Sequence, residues 1–76
     1  MNGNLSTKAK TFSASRLQSA LEPLAPGFDE KAAIAAGVTA RTVANWRAGK
    51  GEPESTQLAA LAALTGKPLD FFFEAA

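Results

Sequence analysis

Two short helical patterns separated by a three-residue break constrain this chain more than any other feature. The first runs from Asp29 to about Ala36 and the second from Ala40 to about Ala48. The break is Gly37-Val38-Thr39. Glycine reaches the left-handed backbone that ends a helix without a steric penalty. Val38 is placed to plug the turn with an apolar side chain, and Thr39 is a good N-cap for the second helix. Ala32, Ala33, Ala35 and Ala36 leave Ile34 as the one large side chain of the first pattern. A surface this small lets a neighbouring helix approach closely. In the second pattern Val43 and Trp46 stand three apart, so they share a face and are core candidates.

The rest of the chain reads as support for this pair. A helix capped by Ser13 or Ser15 carries Leu17, Ala20, Leu21 and Leu24 on one face, and Pro23 and Pro26-Gly27 close it. Phe28 should pack inward as a hydrophobic staple, with Asp29 as N-cap of the next helix. Gly49-Lys50-Gly51 ends the third helix in a basic loop. Pro53 suits the first turn of a fourth helix, with Glu52 or Ser55 near its cap and Leu58, Leu61, Ala62 and Leu64 on its apolar face. A last short helix is expected from Leu69 to about Glu74. It holds Phe71, Phe72 and Phe73, which cannot all enter one core from one helix, so at least one of them should be exposed or covered by something outside this chain. Residues 1–12 read as a disordered basic tail or as an arm that tracks a phosphate backbone. The expectation is an all-α fold, a compact five-helix bundle over residues 13–76 behind that tail.

At 76 residues the chain is near the lower limit for unaided folding. It has no Cys and no His, which closes the disulfide route and the usual zinc sites. The same absences remove the commonest general base and the thiol nucleophile. The acidic pairs Asp29/Glu30 and Glu52/Glu54 point in different directions on a helix and read as helix-start charges. We therefore expect no enzyme and no cofactor. Net charge is +1, but it is unevenly spread: +2 over residues 1–28, +2 over 29–51 and −3 over 52–76. No apolar run is long enough to cross a bilayer, and the N-terminus lacks a signal-peptide core. A cytoplasmic protein without membrane contact is expected.

The order Ala33, Gly37, Val38, Val43, Trp46, Gly49, Pro53 resembles the helix-turn-helix domain of the Cro and lambda-repressor class. Phage repressors, restriction controllers, antitoxins and small bacterial regulators share that class. The resemblance covers about residues 13–74 and rests on the run Gly-Val-Thr-x-x-Thr-Val-x-x-Trp-x-x-Gly-x-x-x-Pro. It implies that the helix over about 39–48 enters the DNA major groove, with Thr39, Ala40, Arg41, Ala44 and Asn45 facing the bases. It also implies a structural role for Trp46 between the third and fourth helices. The family opens its second helix with a Gln that contacts phosphate, where this chain has Asp29. Either Lys31 takes over that contact or Asp29 serves as a cap. The family's acid after the Trp is replaced by Arg47.

Side-chain chemistry points the same way. Arg41 can bond two acceptors on guanine, and Asn45 can pair with the edge of adenine. Ala40 and Ala44 allow close approach or meet a thymine methyl. The hydroxyls of Thr39 and Thr42 suit phosphate oxygens, while Arg47 and Lys50 supply backbone charge. The bland alternative for Arg41 and Asn45 is a solvated helix face. The leading expectation is a sequence-specific double-stranded DNA binder, a transcriptional repressor acting as a homodimer on a palindromic operator. The dimer would form through the C-terminal end or through a further C-terminal domain, if the chain is part of a longer repressor. An alternative is a protein-interaction or antitoxin module that docks a partner through the Phe-rich end.

Overall fold

A computed structural model of the protein describes residues 10–75. The strand β1 (Lys10–Phe12) leads into four helices: α1 (Ala14–Leu21), α2 (Phe28–Ala36), α3 (Ala40–Arg47) and α4 (Ser55–Thr65). A 3-10 turn over Glu22–Leu24 comes after α1, and another over Leu69–Phe72 leads into strand β2 (Phe73–Ala75). The strands pair antiparallel, Lys10 opposite Ala75, Thr11 opposite Glu74 and Phe12 opposite Phe73. Helix α2 packs against both α3 and α4, and α1 packs against α3. No helix among the described residues is long and apolar enough to cross a membrane.

Local chemistry sets the helix ends. Ser13, not Ser15, caps α1, its Oγ accepting from the Arg16 amide at 3.2 Å. The cap of α4 is Glu54, whose amide donates to Gln57 Oε1 at 2.7 Å; Pro53 lies buried just before that cap and not, as expected, in the first turn. Helices α2, α3 and α4 all stop at a glycine with positive φ: Gly37, Gly49 and Gly66. In each case the next residue's amide reaches back to a carbonyl of the last turn. These bonds are Val38 to Ala33, Lys50 to Asn45 and Lys67 to Ala62. The left-handed glycine makes that return possible.

The core joins Leu17, Ala20 and Leu21 from α1, Ala32 and Ala33 from α2, and Val43 and Trp46 from α3. It is completed by Leu58 and Leu61 from α4 and by Phe72. The apolar faces expected of the first, third and fourth helices are thus the buried ones. Phe28, Val38, Leu24, Ala62 and Leu64 are partly buried against this cluster.

Three expectations need correction. The bundle has four helices rather than five, because the chain after Pro68 makes a single 3-10 turn and then extends. Extension suits the aromatic Phe73, which meets Phe12 across the ribbon edge-on at 6.5 Å. The end of the segment expected to be a tail, Lys10–Phe12, is the partner strand; residues 1–9 lie outside the described residues. Finally, Asp29 does not cap α2. The cap position is Gly27, at φ 82°, and Asp29 sits inside the first turn.

The switch from turn to strand also disposes of the three consecutive Phe residues. Phe72 is fully buried, and Phe71 and Phe73 are half-buried, so none is left exposed. Phe71 meets Phe72 edge-on, and the cations of Arg16 and Lys67 lie 5.2 and 5.0 Å from its ring centre. Arg16 binds the same segment twice more, through Glu74 at 3.1 Å and the Phe71 carbonyl at 3.1 Å. The Ser13 amide donates to the Phe72 carbonyl at 2.8 Å, which ties the start of α1 to this end. Phe72 is the largest fully buried side chain. Phe72→Ala should cost about 3–5 kcal/mol, read as a lowered urea midpoint, and should leave a domain this small largely unfolded.

Candidate nucleic-acid interface

Helix α3 starts where the Gly37 turn releases the chain. Thr39 caps it, with Oγ1 accepting from the Thr42 amide at 3.1 Å and lying 3.0 Å from Thr42 Oγ1. The two hydroxyls have two O–H donors between them, and one is spent on their mutual bond. One donor is left over. At the other end the Gly49 amide bonds Trp46 and the Lys50 amide bonds Asn45, a paired closure that fixes the loop to the helix.

Between these ends the helix has two contrasting sides. Val43 and Trp46 are buried. On the opposite side Arg41, Ala44, Asn45 and Ala48 fall at i, i+3, i+4 and i+7, hence in one stripe. Arg41 and Ala48 are exposed, and Ala44 and Asn45 are half-buried. Ala40 and Thr42 flank the stripe, both half-buried. One long and one short polar side chain, Arg41 and Asn45, therefore alternate with the methyls of Ala44 and Ala48, so a flat or grooved surface can come close to the backbone. Among the described residues Arg41 makes no ion pair and no side-chain hydrogen bond, and the same holds for Lys50 in its exposed loop.

Arg47 is placed differently from the outward role expected of it. Its guanidinium turns back against the neighbouring helices. Nε donates to Asp29 Oδ1 at 2.8 Å and Nη2 to Asp29 Oδ2 at 2.6 Å, a two-pronged pair. Nη1 donates to Gln18 Oε1 at 2.9 Å, and the cation lies 4.8 Å from the centre of the Phe28 ring. The Arg47 and Asp29 side chains are only 24% and 20% exposed. The hydrogen bond to Asp29 raises the Arg47 pKa, against the opposing effect of partial burial. Both charges are largely spent on each other.

Lys31 also turns inward, its Nζ donating to the Leu24 carbonyl at 2.8 Å while the side chain remains exposed. It belongs to α2 and braces the turn after α1. The structure thus brings Thr39, Ala40, Arg41, Thr42, Ala44, Asn45 and Lys50 together on α3 and its loop, and sets Lys31 and Arg47 apart. Sequence reasoning missed Ala48, which spacing from Arg41 and Ala44 could have added. It also missed Gln18 and Phe28 as partners of Arg47, and nothing in the linear chain marks those contacts.

Among the described residues no group of acids could hold a metal ion. Compared with family models, with curated proteins and with solved structures, the chain gives no match. The cap at Thr39 gives the site a direct stability test. Thr39→Ala should cost about 1 kcal/mol, measured by denaturant unfolding, and should lower the protection of the Thr42 amide against hydrogen exchange.

Proposed function

We propose that the protein is a sequence-specific double-stranded DNA binder of the helix-turn-helix kind, a transcriptional repressor in the manner of the Cro and lambda-repressor class. Helix α3 lies in the major groove. Arg41 and Asn45 read base edges, Ala44 and Ala48 permit close approach, and Thr39, Thr42 and Lys50 hold phosphates. Two copies sit on a palindromic operator with half-sites about one helical turn, roughly 34 Å, apart.

One observation carries this reading. The side of α3 opposite Val43 and Trp46 presents Arg41, which has no ion pair among the described residues, and a half-buried Asn45 between alanines. A solvated helix face gains stability from opposite charges paired at i+4, and position 45 offers Arg41 an amide there instead of an acid. The tight Gly37 turn and the Schellman closure at Gly49 add support, because they hold α3 rigidly at both ends. The Phe-rich end favours no second reading: its rings are taken up by Phe12, Arg16, Lys67 and the core.

The test is a selection from random duplexes, then titration at several salt concentrations. Arg41→Ala should cost about 1–3 kcal/mol on the enriched duplex and relax base preference at one position. Lys50→Ala should weaken all duplexes alike and reduce the salt slope by about one. Parent-like binding by both variants would refute the assignment.

A further inference from the structure

We propose that Arg47 is a positioning residue for DNA reading: it sets the seat of α3 on α1 and α2 and so governs sequence discrimination without touching DNA. This rests on the role just proposed for α3. The guanidinium joins three helices: Gln18 on α1, Phe28 and Asp29 in the first turn of α2, and Arg47 in the last turn of α3. Its donors take the two Asp29 oxygens and the Gln18 oxygen, and its central carbon lies 4.8 Å from the centre of the Phe28 ring. A point charge could hold a distance. A planar fork held by three hydrogen bonds, two of them along one edge, also holds an orientation.

Orientation is what base reading demands. The N-terminal end of α3 is already fixed by the Gly37 turn and the Thr39 cap. With the C-terminal end fixed by Arg47, the stripe of Arg41, Ala44 and Asn45 between them has a set tilt. Two-point hydrogen bonds from Arg or Asn to a base edge tolerate little angular error. Phosphate contacts, which depend mainly on charge, tolerate much more. Release of the clamp therefore reduces the preference for one sequence while sparing general attraction to DNA. Asp29 has a second part in this arrangement. Held in a two-pronged pair, its carboxylate is neutralised and does not repel a phosphate near the start of α2.

Lysine keeps the charge at position 47 and loses the fork, so Arg47→Lys separates the two roles. The probes are a duplex enriched from a random pool by the parent protein and a scrambled duplex of equal length, each titrated across a salt series. For Arg47→Lys we expect a folded protein, an unchanged salt slope on the scrambled duplex, and a ratio of enriched to scrambled affinity reduced roughly tenfold. Arg47→Met combined with Asp29→Asn, which bares no carboxylate, should show the same loss of ratio and keep the slope. A slope reduced by about 0.9 in that double variant, with the ratio intact in Arg47→Lys, would make Arg47 a phosphate contact and overturn the proposal. Should the double variant not fold, Arg47→Lys decides alone: a parent-like ratio overturns the positioning role. A parent protein that enriches no sequence refutes the DNA reading itself, which is a different failure from a parent that discriminates while Arg47→Lys discriminates equally well.

Discussion

Everything in this fold depends on how closely α2 can be approached from two sides. Its buried residues are Ala32 and Ala33 alone, yet it packs against both α3 and α4. Methyl groups keep the helix axes close together. The larger side chains of the neighbours, Val43 and Trp46 on one side and Leu58 and Leu61 on the other, then fill the space around a thin central helix. A bulkier residue at Ala32, which is fully buried, would have no space unless α3 or α4 moved outward. The seat of α3 is therefore a property of α2, and the outward stripe of α3 inherits it. Ile34 is the counterpart: at 83% exposure on the same helix, it contributes nothing to that packing.

The charged groups divide in a way that this packing explains. Arg47 and Asp29 lie at the joint of α1, α2 and α3 and satisfy one another, while Arg16 and Glu74 join the ends of the chain. Lys31 is drawn to a backbone carbonyl. Arg41 and Lys50, around α3, have no ion pair among the described residues. In a chain of net charge +1 such placement matters more than the total.

Much of this was legible in the sequence. The Gly37 turn, the Thr39 cap, the buried pair Val43 and Trp46 and the leucine faces of the first and fourth helices each rest on local rules, and local rules survive folding. The illegible part depends on partners far apart in the chain. The strand at Lys10–Phe12 is too short to show alternation and exists only because Phe73–Ala75 lies beside it. The fate of three adjacent Phe residues turned on the same pairing. Arg47 looked like one more outward cation because Asp29 is 18 residues away and Gln18 is 29. Asp29 looked like a cap because Gly27, two residues earlier, gives no side-chain signal for that role. The unlike charges at positions 29 and 47 are one feature in the folded chain.

Contact between the outer side of α3 and DNA is the central proposal. Amide and side-chain NMR shifts recorded while a duplex enriched by selection is added test it most directly, because they report position by position. We expect the largest shifts from Thr39 to Lys50, with Arg41 and Asn45 side-chain signals moving and those of the Phe12–Phe73 ribbon staying still. Shifts confined to the ribbon or to the outer side of α4, with Arg41 and Asn45 unmoved, would contradict it.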